Sequence, residues 1–199
     1  MCKKVKMITK GLDLGGLTNH ANRFVHFYSH LAELKNLLRQ GLVRRHGLKK
    51  EKAESVGDHI FSTTMMALLI VMELRCDLDA VRIVLMLLVH DIVEAIAGDV
   101  IPTDNMMSEE KISHERKALY EIFSQFESGQ FFIDLWEEYV AQETPEAQFA
   151  RDFDLLDAVL MATMYDKNGL NEGSRQAFWD DASEKIKTPE ARAILNSLK

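Results

Sequence analysis

The chain has 199 residues, enough for one sizeable core and ordinarily one domain. Its 47 % apolar content is that of a soluble folded protein, and 24 basic against 31 acidic side chains give a net charge of −7, which excludes a global basic field for nucleic acid or an anionic membrane. Two cysteines, Cys2 and Cys76, exclude a disulfide framework or a thiolate-rich zinc site.

The opening Met-Cys-Lys-Lys-Val-Lys lacks the long apolar stretch of a signal peptide, and charge interrupts every apolar run before the roughly 18 residues of a membrane span. No membrane association is expected, and a cytoplasmic location is. Residues 1–17, with Gly11, Gly15 and Gly16, form an irregular start. From Thr18 or Asn19 to Leu38, Phe24, Phe27, Leu31, Leu34 and Leu38 recur at helical spacing. Gly41 opens a polar, basic loop running from Arg44 and Arg45 to Lys52.

Ser55-Val-Gly-Asp58 has the spacing of a helix N-terminus, where hydroxyl and carboxylate satisfy free backbone N–H groups. The helix it starts runs to Leu74 and carries His59 in its first turn, on a stripe with Thr63, Met66, Ala67 and Ile70. Asp79 caps the next helix, and Gly98 ends it. Near its end lie His90, Asp91 and Glu94. At 3.6 residues per turn they share one polar patch on an otherwise apolar helix. A turn-rich loop, 98–104, follows. Further helices are expected over 108–126, 131–141, from Thr144-Pro145 to Asp166, over 175–186, and after Thr188-Pro189. The helix after Thr144 is apolar almost all round yet carries Asp154 and Asp157. The fold class is therefore all-α: a single domain over 1–199 with a buried polar site.

Burying an unpaired carboxylate is costly, so such groups are paired or bind metal. His59, the His90–Asp91 pair and Asp154 come from three helices, each in an apolar context. Two imidazoles and two carboxylates can close around one divalent cation and leave positions for water and substrate. Cobalt, manganese, zinc, iron, nickel or magnesium would suit such a mixed set.

The order His59, His90-Asp91, Asp154 resembles the HD-domain metal-dependent phosphohydrolases. Glu54-Ser-Val-Gly-Asp-His59, then Val89-His-Asp-Ile-Val-Glu-Ala-Ile-Ala-Gly-Asp-Val-Ile-Pro102, is similar to the branch that hydrolyses deoxyribonucleoside 5′-monophosphates. The likeness extends over about 31–166 and includes Leu135-Trp-Glu-Glu-Tyr139. It implies that His59, His90, Asp91 and Asp154 are the metal ligands and that Glu94 and Asp99 act in the chemistry and against the substrate. It also implies that an arginine of the basic loop, Arg45 or else its neighbour Arg44, contacts the phosphate. His46 follows this arginine, near the sugar, where some members carry Trp. The resemblance implies a nucleotide substrate. Phe131 and Phe132 offer a face for a homodimer. The doublet alone is also compatible with hydrolysis of a triphosphate or cyclic nucleotide, or with a nucleotide-binding regulatory domain that does not turn over.

Overall fold

Helix follows helix along the chain: α1 (Arg23–Asn36), α2 (Val56–Glu73), α3 (Ala80–Val89), α4 (Glu94–Ala97), α5 (Ser108–Phe123), α6 (Gly129–Ala141), α7 (Pro145–Lys167), α8 (Ser174–Lys185) and α9 (Pro189–Ser197). The computed structural model describes residues 6–74, 77–101, 104, 106–170 and 173–199. Cys2, Cys76, and Pro102 and Thr103 of the turn-rich loop lie outside the described residues. Among those described, extended pairing is confined to two isolated bridges, Thr9 with Leu37 and Leu38 with Ser55. The architecture is all-α, as the periodicity implies.

The caps explain where the helices begin. Asn22 Oδ1 accepts N–H groups of Phe24 and Val25, so α1 starts at Arg23, after Thr18 and Asn19. Asn19, with φ 59°, is left-handed and outside it. The Ser55–Asp58 cap forms as the spacing predicts: Asp58 Oδ2 accepts the Ser55 N–H at 2.9 Å, and Ser55 Oγ accepts the Asp58 N–H at 3.3 Å. Thr144 Oγ1 accepts from Ala147 N at 3.2 Å, with Pro145 opening α7. The basic loop contains a single π-helical turn, Gly41–Arg45. Gly98, at φ 79°, stops α4 where a Cβ would strike Met7.

Backbone contacts divide the chain into two compact units, one of Met1–Asp58 with Asp91–Ile133 and one of His59–His90 with Asp134–Lys199. In the first, α4 packs on α1 and α5, burying Leu34, Leu37, Ile92, Val93, Leu119 and Ile122. An aromatic layer flanks this core: Phe27 meets Phe123 and Phe126, and Phe132 stacks on Phe123 at 4.8 Å. Phe131, at its edge, is half exposed.

The second unit has its own core, in which α7 packs on α3, α8 and α9. It is filled by Leu87, Leu135, Phe149, Phe153, Leu156 and Ile186, side chains whose full burial stabilises by about 1.5–3 kcal/mol each. Asp152 fastens the tail to it. Its Oδ2 accepts the N–H groups of Lys187 and Thr188 at 2.8 and 2.6 Å. α2 is long and apolar enough to cross a membrane by length and composition alone; its Ala67 and Val71 are buried in this core.

The expected continuous helix from Asp79 to Gly98 is broken. α3 ends at Val89, and α4 begins at Glu94. The Glu94 N–H donates to the Asp91 carbonyl at 3.1 Å, three residues back, instead of to that of His90. The His90 carbonyl is taken by a side chain 46 positions further on: Trp136 Nε1 donates to it at 3.1 Å. Tertiary packing therefore tightens the backbone at the His-Asp doublet. Replacing Trp136 by Phe leaves a buried carbonyl without its partner. We expect a loss of about 1–3 kcal/mol in urea unfolding, together with weaker metal uptake, while the helical circular dichroism is retained.

Candidate active site

In the second unit three side chains converge. His59 stands in the first turn of α2, His90 directly follows α3, and Asp154 lies midway along α7; all three are buried. Each imidazole is oriented by its Nδ1. That of His90 donates to the Leu87 carbonyl at 2.7 Å, an atom that can only accept, which leaves Nε2 to face the opposite way. His59 Nδ1 sits 2.7 Å from Asp157 Oδ2. The Nε2 atoms of both rings then face one oxygen, Asp154 Oδ1, at 3.1 Å from His59 and 4.0 Å from His90.

Asp154 and Asp157 have separate tasks although three residues apart. Asp157 serves the far side of His59, the usual outer partner of a ligating imidazole. The second oxygen of Asp154 accepts from Tyr139 Oη at 2.7 Å and Arg151 Nη1 at 2.6 Å. Burial pushes the Asp154 carboxyl up, but the Arg151 charge, the hydrogen bond from His59 and the two imidazoles hold it well below the usual carboxylate range. One ionised oxygen thus meets two imidazole nitrogens out of water. A divalent cation about 2.1 Å from each donor would set neighbouring donors about 3.0–3.4 Å apart, which fits this spacing with a small closure at His90.

Asp91, the next residue along the chain, belongs to the first unit with Glu94 and Asp99. Asp91 Oδ2 accepts from Arg39 Nη1 at 3.2 Å, and Asp99 Oδ2 accepts the Gln40 N–H at 2.6 Å. Glu94 is buried, and its Oε2 has no hydrogen-bond partner among the described residues. Burial first, then the charges of Asp91 and Asp99, push the Glu94 carboxyl well above the ordinary value. Lys111 answers this acidic group: burial lowers its pKa, but Glu115, Glu94, Asp91 and Asp99 together raise it and keep it cationic.

Arg44, Arg45 and His46 are placed differently. Arg44 forks onto Asp104, and Arg45 is exposed. His46 is partly buried, its pKa lowered by burial and by Arg45. The cations set against the buried acids are Arg39 and Lys111, which sequence reasoning did not single out. Arg39 follows the last apolar residue of the first helical stripe and looks like an ordinary basic helix terminus. Lys111 lies in a charged segment that reads as surface.

Two substitutions test the orienting partners. Tyr139→Phe removes the hydroxyl's hydrogen bonds with Asp154 and Arg151, and Asp157→Asn removes the charge behind His59, neither emptying the core. Each is expected to weaken metal binding by about 10- to 100-fold in a chelator competition, with unchanged stoichiometry. Asp154→Ala and His90→Ala should abolish stoichiometric binding.

The sequence is 32% identical over 92% of its length to 5′-deoxynucleotidase HDDC2 of Xenopus laevis, covering 90% of that protein. It is 32% identical to the human protein of the same name, over 89% of this chain and 85% of that one. Among solved structures, a protein of Pyrococcus horikoshii superposes with a TM-score of 0.73 at 26% identity, covering 87% of this chain and 97% of that one. A predicted metal-dependent phosphohydrolase of Magnetospirillum magnetotacticum superposes at 0.62 with 27% identity, covering 88% and 93% of the two chains. The HD domain model matches residues 31–194, a span that holds both histidines, the doublet aspartate and Asp154. With the matched span and its metal-binding chemistry in agreement, the chain belongs to the HD domain family.

Proposed function

We propose that this protein is a metal-dependent 5′-deoxynucleotidase, which hydrolyses deoxyribonucleoside 5′-monophosphates to deoxyribonucleoside and phosphate. The observation that carries the reading is the convergence, in one HD domain, of the Asp154 carboxylate on the Nε2 atoms of His59 and His90, at 3.1 and 4.0 Å. Relatives named 5′-deoxynucleotidase that align along most of their length support the substrate class.

In this reading His59, His90, Asp91 and Asp154 hold one divalent cation from the set cobalt, manganese, zinc, iron, nickel and magnesium. When bound, the cation supplies a Lewis acid that activates water and offsets charge on the phosphoryl group. The chain's own groups do the rest. Water oxygen bonds to phosphorus as the bond to O5′ breaks. Glu94 gives its proton to the leaving O5′, as suits a carboxyl whose pKa is raised. Asp99, held by the Gln40 N–H, takes the proton lost by water. A guanidinium holds the non-bridging oxygens by charge-assisted forked bonds. Arg45 is one candidate for that role; Arg39, beside Asp91, is the other. His46 lies toward the sugar. The working form is a homodimer.

With manganese or cobalt added, the protein is expected to release phosphate from deoxyribonucleoside 5′-monophosphates. Release only from a triphosphate or a cyclic nucleotide would overturn the reading. So would nucleotide binding with no turnover. Glu94→Gln should keep the metal and lose about 10²- to 10⁴-fold in kcat. Arg39→Ala should raise KM by about tenfold or more; a rise confined to Arg45→Ala would assign the phosphate to Arg45.

A pH series supplies a further check. The unfolded chain ionises Glu94 near pH 4.3 or so, whereas the folded chain holds that proton to higher pH. Between those two values the native state binds more protons, so this group makes stability fall as pH rises. Glu94→Gln should remove that slope and raise the melting temperature of metal-free protein at neutral pH by about 2–4 °C for each 1 kcal/mol relieved.

A further inference from the structure

Residues 7–12, ahead of α1, are tied into the framework around Asp99. The Leu38 N–H donates to the Ile8 carbonyl at 3.2 Å and the Lys10 N–H to that of Asn36 at 2.8 Å, with Thr9 bridged antiparallel to Leu37. From another segment, the Glu54 carbonyl accepts the Arg39 N–H at 3.1 Å, and the Val56 N–H donates to the Leu37 carbonyl at 2.9 Å. Residues 37–40 are thus paired with two segments, as a middle strand would be. Gln40, the last of them, is fully buried. A buried side-chain amide needs partners for its oxygen and for both its N–H groups. Gln40 finds them here: Oε1 accepts the Ile8 N–H at 3.0 Å, and Nε2 donates to the carbonyls of Ile8 at 2.9 Å and Leu38 at 2.6 Å. Its amide serves as one more rung of the ladder.

The backbone N–H of the same residue donates to Asp99 Oδ2 at 2.6 Å. Met7, beside Ile8, lies against Gly98, where a Cβ would come within 2.6 Å of its Cε. Two neighbouring residues of the segment therefore reach Asp99 by two routes, Ile8 through Gln40 and Met7 through Gly98. We propose that Gln40 is a positioning residue for the hydrolysis, and that through it residues 7–12 set the direction of the Asp99 carboxylate. The proposal rests on the preceding reading, in which Asp99 takes the proton lost by water. A carboxylate turns about two single bonds, and a reacting group displaced by about 1 Å can lose on the order of 100-fold in rate. A backbone donor clamped between neighbouring segments is a stiff reference for such a group. The Gln40 side chain acts indirectly: its hydrogen bonds among the described residues all go to main-chain atoms of Ile8 and Leu38.

The experiment compares full-length wild type with Gln40→Met and Ile8→Pro, metal-loaded and well below their melting temperatures. Gln40→Met keeps the volume and removes the amide. Ile8→Pro leaves Gln40 in place and removes the N–H that its Oε1 accepts, so it carries the test if Gln40→Met does not fold. Each is expected to lower kcat on deoxyribonucleoside 5′-monophosphates by about tenfold or more, with KM and metal stoichiometry within about twofold of wild type. The double variant should be no slower than Gln40→Met, because both changes cut one tie. Hydrogen exchange reads the tie without turnover: the amide at position 40 should exchange at least about tenfold faster in both variants. Asp152→Ala, which frees the N–H groups of Lys187 and Thr188, is the control, lowering Tm without lowering kcat. An unchanged kcat in the folded variants would make the tie merely structural and overturn the proposal, leaving the nucleotidase reading in place. Unchanged exchange at position 40 in Ile8→Pro would do the same. A raised KM with kcat kept would assign the tie to substrate holding through Arg39 and overturn the role given to Asp99. Wild type that released no phosphate from any deoxyribonucleoside monophosphate would overturn both.

Discussion

The carbonyl oxygen of His90 is the atom on which the candidate site turns. In an uninterrupted helix it would receive the N–H of Glu94. Here it receives the indole N–H of Trp136, whose ring is fully buried. The backbone tightens at that point, and Glu94 starts a new, four-residue helix. The His90 imidazole is fixed from the other side by the Leu87 carbonyl. A backbone acceptor and a side-chain donor, each rigid, therefore hold the doublet between two short helices without any contribution from a flexible loop. Irregular backbone at such a point is what a site demanding fixed ligand directions requires.

Around this point burial acts on carboxyls in two opposite ways. Asp154 is desolvated, yet Arg151 and the two histidines hold its carboxyl well below the usual range. Glu94 is desolvated too, and the charges of Asp91 and Asp99 push its carboxyl further up against the pull of Arg39 and Lys111. Water exclusion is common to both; the sign of the neighbours decides. A site that needs one anionic donor and one proton source can make both from the same functional group by this means.

Much of this was legible in the sequence because it is local. Helical spacing located the elements, Ser55–Asp58 and Thr144–Pro145 located two helix starts, and a charged residue on an apolar stripe marked His59, His90 and Asp154. What was not legible depends on distant partners. The break at His90 needs Trp136. The division of labour between Asp154 and Asp157 needs His59, about a hundred residues upstream, to choose between them. Arg39 could not be told from a helix-terminal charge until Asp91 was placed beside it, and Arg44 could not be set aside until Asp104 claimed it. The stripe from His59 to Ile70 marked the inner side of α2; that Phe61 and Leu69 are exposed is seen only in the structure.

Glu94 carries an evolutionary consequence. A buried carboxyl among like charges is a burden on folding, and neutral replacements relieve it at no cost to the core. Selection for a well-folded protein alone would discard this residue, whereas the two histidines, packed and hydrogen-bonded, could persist as part of the interior. In a lineage released from the need for turnover, Glu94 should therefore decay first. A descendant with both histidines intact and a neutral residue at position 94 would be the fossil of an enzyme, more robust than its ancestor and chemically silent.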